Sequence, residues 1–303
     1  MNWFLIALIN PILQSAVNHF DKFLLSKYIK GGTVGALILF SALFAFIALP
    51  VIFIINPNVL SSVSLFQGLA LMANGALLTV AILLYLYAMD SDEASYVVPF
   101  FELIPVFGFL LGFAMLGEVL TLNQFIASTT IILGSLIISV DLKTERYHLK
   151  KKLILLMVGS SFCYALNAVV FKSIASSQGF VDSLFWDMLG KFLLGVLLFF
   201  AVKSYRTQFI SLVKSNGRKI MSLNVLNEIM GIVAEISLIF AVLLAPVALV
   251  QSVGSIQSPL VFVFGIIITL FFPHLGEESM ERKIIIQKIL GIGVISLGIY
   301  ILK

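Results

Sequence analysis

Apolar residues run along this chain in long unbroken stretches, with neither the alternation of a half-buried strand nor the single stripe of a surface helix. Ten stretches are separated by short polar joints, near residues 3–26, 34–55, 65–89, 93–116, 121–140, 152–176, 181–203, 221–244, 246–272 and 284–302. Each is close to the ~20 residues a helix needs to cross the hydrocarbon layer. Turn chemistry marks the joints: KGG at 30–32, NPN at 56–58, SNG at 215–217 and FPHLGEES at 272–279. A membrane barrel would show shorter segments of alternating polarity, so the runs predict helices. The opening MNWFLIALINPILQ has no basic leader and no small-residue cleavage site, and reads as a retained first span.

Composition turns these helices into membrane spans. Of 303 residues, 60% are hydrophobic and 11% charged, against about 25% charged in soluble domains. Mean hydropathy is +1.12. One soluble core cannot hide this much apolar surface, so the solvent is lipid. The single cysteine, Cys163, excludes a disulfide within the chain. The net charge of +4 comes from basic residues in short joints, which fits membrane topology and not nucleic acid. Sixteen of the 19 Lys and Arg flank one set of alternate joints. The positive-inside rule makes those joints cytoplasmic and puts both termini outside.

The chain also repeats itself. Ala94, Pro105, LGE ending at Glu118, Ala127 and Gly134 occur in the first half; Ala248, Pro259, LGE ending at Glu277, Gly291 and Gly298 follow in that order in the second. The first two pairs lie 154 residues apart, and the later offsets grow to 159 and 164. Each copy holds five spans, an odd number, so the second enters the membrane from the opposite side. The expected fold is therefore all-α: a polytopic membrane protein of ten transmembrane helices built from two inverted five-helix repeats. The repeats are 1–140 and 152–303, joined by a basic loop at 141–151. Inverted repeats recur in secondary transporters, because exchanging the conformations of two copies opens one side and closes the other.

GFAMLGEVLTLNQFIASTTIILGSLIIS resembles the end of an EamA-type repeat of the drug/metabolite transporter superfamily, and HLGEES…KILGIGVISLGIYIL repeats the pattern. The pattern is an apolar span, a short Gly-Glu turn, then a last helix with small residues seven apart. The resemblance implies a carrier of amino acids, nucleoside-like metabolites or drugs, working by exchange or proton coupling. It also implies cytoplasmic termini, opposite to the charge count; both orientations stay open. NPNVLSSVSLF after the second span lacks the basic residues common in the family.

Polar groups inside the spans carry the candidate chemistry. VVPFFELIPVF, residues 97–107, places Glu102 between Pro99 and Pro105, roughly 14 Å into its span. A carboxylate at that depth costs a few kcal/mol in lipid, so it faces a cavity or a partner. The prolines are expected to kink the helix and free carbonyls, which is tolerable beside protein or a wet cavity. Interhelical hydrogen bonding is the structural alternative for Glu102. On the ninth span Pro259 accompanies Gln251, Ser255 and Ser258 on one face, with Gln257 beside them. On the eighth, Asn224, Glu228, Gly231 and Glu235 form one stripe. Two desolvated, mutually repelling carboxylates meet the physical requirement for loading and releasing protons. Glu102, Glu235 and Glu228 are thus the expected substrate or proton-coupling residues.

Asp187 and Lys191, four apart, suit an ion pair. Lys172 is expected to snorkel to the headgroups. Asn10, Gln14 and Asn18 share a face of the first span, with His19, Asp21 and Lys22 beyond; Gln67 and Asn74 lie seven apart on the third. Asn74, Asn18 and Gln14 join Gln251, Ser255 and Ser258 as candidate cavity residues. Trp186 and Tyr164 are expected to pack. Ala127, Gly134, Gly291 and Gly298 let helices approach, within the chain or across a homodimer.

No HExxH or GxSxG is present, and the three histidines, His19, His148 and His274, are scattered. An intramembrane enzyme therefore has little support, and no cofactor or metal is expected. The joints are too short for a receptor domain. No filter-like repeat is visible, and a channel stays open as the alternative to a carrier. The sequence points to a secondary transporter of the plasma (inner) membrane, moving a small metabolite by alternating access with protons as a coupling partner. Its oligomeric state is monomer or homodimer.

Overall fold

Without water inside a bilayer, each backbone N–H and C=O must bond within its own segment, and the apolar runs therefore close as helices. The computed structural model describes residues 2–27, 34–91, 97–139, 151–215, 218–271 and 282–302. Among them only helices and turns occur. In chain order they are α1 (Asn2–Lys27), α2 (Val34–Phe44), α3 (Ala48–Ile55), α4 (Val59–Ser62), α5 (Leu65–Ser91), α6 (Leu103–Leu116) and α7 (Leu122–Ser139). Then come α8 (Lys151–Gln178), α9 (Phe180–Ala201), α10 (Lys203–Ser215), α11 (Arg218–Leu244), α12 (Val247–Gly254), α13 (Gln257–Phe271) and α14 (Arg282–Leu302). Seven stretches are long and apolar enough to cross a membrane, and α6 and α7 are shorter apolar helices. The basic connector at 141–150, Ala94 and the LGE ending at Glu277 lie outside the described residues.

The outer surface is greasy. Phe66, Ile54, Leu122, Phe271 and Tyr300 are each more than 70% exposed. Such faces are normal against acyl chains and untenable in water. The chain is a multi-pass membrane protein.

Small residues set the closest helix contacts. A Cβ on Gly75 of α5 would lie 1.8 Å from the Asp187 carbonyl oxygen, and one on Gly190 of α9 would lie 1.9 Å from that of Met72. The two contacts run in opposite chain directions, so α5 and α9 cross antiparallel. Gly190→Ala is expected to destabilise the bundle by about 1–3 kcal/mol through overpacking, read as a lower thermal midpoint in detergent micelles. An unchanged midpoint would mean that the crossing relaxes freely. A second seam joins α7 to α14 within the chain: Gly134 abuts Gly291, and Gly298 abuts Ala127.

Two elements depart from expectation. The stretch 203–215, expected as a joint, is the helix α10. Its Leu212 and Phe209 pack on Ala36 and Phe40 of α2, while Lys203, Arg206 and Lys214 share the same short helix. Thirteen residues with alternating demands of this kind suit the membrane interface. The prolines, expected as mid-helix kinks, instead mark breaks. Pro99 lies in a 3-10 turn at Val98–Glu102, and Pro105 is the third residue of α6. Pro259 is likewise the third residue of α13, after the break following α12. In a first turn the missing N–H forfeits no α-helical bond.

Candidate functional site

The two breaks face each other, and the site is built on them. Glu102 occupies the N-cap position of α6, where the helix dipole favours a negative charge. Its carboxylate is 4% exposed and collects hydroxyls from two other elements. Ser135 of α7 makes a short hydrogen bond to Oε1; Ser255 donates to Oε2 at 2.6 Å and Ser258 reaches Oε1 at 3.4 Å. The Ser135 and Ser258 hydroxyls are themselves 2.8 Å apart. The Phe100 carbonyl, next to the break, accepts from Ser161 Oγ of α8 at 2.9 Å. Among the described residues, Glu102 has hydroxyl partners and no cation.

These groups open onto a cavity of about 220 Å³. Glu102, Glu228 and Glu235 all line it, as do Gln14, Asn18, Gln251, Ser255 and Ser258. Lys191 lines it too, whereas Asp187 and Asn74 stand behind the wall.

The expected Asp187–Lys191 pair is replaced by two tertiary contacts. Lys191 Nζ lies 2.8 Å from Glu235 Oε2 across to α11, and Asn74 Nδ2 of α5 donates to Asp187 Oδ1 at 2.8 Å. Four-residue spacing puts both groups on one face of α9, but neighbours on opposite flanks satisfy each of them first. Lys172 also departs from expectation. It bridges to Glu118 Oε1 at 2.6 Å and donates to the Ala245 carbonyl at 2.7 Å, while the Val247 N–H donates to Glu118 Oε2 at 2.8 Å. Glu118 thus ties the end of α6 to α8 and to the junction before α12. The knot sits one turn beyond Ala168, a cavity residue, over an apolar cluster that includes Ala7, Val169, Val242 and Val250.

Several lining residues carry no strong signal in the sequence. Tyr164, expected to pack, lines the cavity and meets Phe101 edge-on, with ring centroids 6.3 Å apart. Trp186 does pack: its ring lies on Gly68, and its indole N–H donates to the Val59 carbonyl at 3.2 Å. Asn227 donates to Asp21 at 2.7 Å, beside the α11 stripe and not on it. Asn10 already stood on the polar face of the first span, and Asn167 could have been found beside it. Each ends a similar tripeptide, LIN on α1 and ALN on α8.

A crystal structure of another protein superposes with a TM-score of 0.67 at 11% identity, covering 98% of this chain and 95% of that one. At this identity the likeness concerns the fold alone. No curated protein matches the sequence. Residues 2–140 match the EamA-like transporter family, whose members are generally transporters. That match, over 139 of the 303 residues, supports the resemblance to EamA-type proteins of the drug/metabolite transporter superfamily.

Proposed function

We propose that this protein is a ten-span secondary transporter that moves a small polar or amphiphilic metabolite across the plasma (inner) membrane by alternating access. Two inverted repeats, 1–140 and 152–303, enclose the substrate chamber, with 141–151 as their connector. Three paired features support the inversion. The Ala127–Gly298 and Gly134–Gly291 contacts make the last helices of the two halves antiparallel neighbours. Asn10 Nδ2 donates to the Ala234 carbonyl at 3.0 Å, and Asn167 Nδ2 donates to that of Asn74 at 3.1 Å. Each bond joins the first helix of one half to the third helix of the other. Pro105 and Pro259 hold the same place after their breaks. The family match also ends at residue 140, where the first repeat is expected to end.

The observation that carries the reading is the carboxylate-lined cavity between the halves of an otherwise apolar bundle. Ionisable groups at such depth persist where they serve a solute or proton path. Glu102 is the proposed proton-coupling residue, Glu235 is the counter-ion of Lys191, and Glu228 is a further wall carboxylate. The Glu118–Lys172 knot is the proposed closure at one end of the chamber.

The test is exchange in proteoliposomes holding the full chain, with labelled leucine, uridine and phenethylamine. Saturable uptake of at least one solute, accelerated by the same unlabelled solute inside, is expected. Uptake of all three at the level of empty vesicles, or linear uptake without acceleration, would overturn the carrier reading; the linear case favours a channel.

A further inference from the structure

The cavity is short of positive charge. Asp21, Glu102, Glu228 and Glu235 line it against one ammonium, Lys191, and that ammonium is taken by Glu235 at 2.8 Å. Independently, three buried side-chain atoms of wall residues lack a protein partner: Gln14 Oε1, Asn227 Oδ1 and Glu235 Oε1. All three are acceptors. The assignment is firm at Asn227, because only its amide nitrogen can donate to the Asp21 carboxylate, which leaves the oxygen as the free end. Asn227 is 5% exposed, so its oxygen sits in a low-dielectric wall where an unmet acceptor is costly; the Gln251 oxygen packs instead against Gly108 of α6.

Aromatic faces complete the lining. Tyr85 and Phe101 have ring centroids 5.2 Å apart, and Tyr164 continues the cluster. Such rings attract a cation and an apolar body at once.

We propose, building on the transporter reading, that the cavity is a binding site for a small protonated amine: a cation with N–H donors on a compact, flat, apolar body. The carboxylates supply the charge, the orphan oxygens take the N–H groups, and the Tyr85–Phe101–Tyr164 cluster receives the ring. An organic anion finds no unpaired cation among the described residues of the wall. A quaternary ammonium has the charge but no N–H to offer the orphan oxygens.

Calorimetric titration of the purified full chain in detergent tests this with three ligands of one shape: phenethylamine, its N,N,N-trimethyl analogue and phenylacetate. Phenethylamine is expected to bind at least about tenfold more tightly than either of the others, as the loss of charge-assisted hydrogen bonds predicts. Asn227→Leu is expected to narrow the gap between amine and trimethyl analogue; if that variant fails to fold, the ranking in the parent protein decides. Equal or tighter binding of phenylacetate, equal binding of the trimethyl analogue, or no binding of phenethylamine overturns the proposal. Exchange of leucine or uridine without amine binding would overturn it while leaving the transporter reading intact.

Discussion

Lys191→Met is expected to be among the most damaging single substitutions at the site, lowering stability by about 3–5 kcal/mol. Lys191 is 3% exposed, and its ammonium is the only described cation within salt-bridge distance of Glu235. Removing it strands a carboxylate in a wall that already holds Asp21, Glu102 and Glu228. The attraction between paired charges is lost, and the desolvation cost of the survivor remains. The double variant Lys191→Met with Glu235→Gln removes both charges and should recover more than half of the loss, since a buried pair and an uncharged pair of similar volume are close in stability. Equilibrium unfolding in mixed micelles measures all three variants. A single variant within about 1 kcal/mol of the parent, or a double variant no better than the single, would show that the pair does not hold the charge balance of the cavity.

Glu102→Gln is expected to have the largest effect on transport while leaving the fold in place. Glutamine keeps the size of glutamate, accepts from one of Ser255 and Ser135 through its oxygen and donates to the other through its amide nitrogen, so the junction between the two breaks should survive. What disappears is the charge and the ability to exchange it for a proton. Proton coupling through Glu102 predicts that amine affinity in the parent falls as the pH is lowered from 8 to 5. In the variant that slope should vanish, and affinity at pH 8 should drop about tenfold or more. Asp21, Glu228 and Glu235 also face the cavity, and they remain in both proteins as an internal control. A variant that retains the parent's slope would move proton coupling to one of those three.

The helices were legible because their cause is local. A run of apolar residues in lipid has to bond its own backbone, and no tertiary contact is needed to decide that. The recurring marks were legible too: prolines and small residues follow in the same order in both parts of the chain, as at Pro105 and Pro259. Glu102 stood out because a carboxylate in hydrocarbon needs an explanation wherever the chain carries it. Lys191 was visible as a charge, yet its partner was not. Helical spacing proposes Asp187, while the side chain spans the cavity to a residue 44 positions away.

Sequence by itself thus determined the apolar helices, the order of the repeated marks and the presence of acidic groups at depth, because each follows from the free energy of single residues in lipid. Tertiary structure alone decided which groups meet. It placed three serines on Glu102, gave Lys191 to Glu235 and Lys172 to Glu118, and left unpartnered oxygens on residues of one cavity wall. Pairing depends on distances between helices far apart in the chain, and those distances are set by glycines such as Gly75 and Gly190 that let backbones touch.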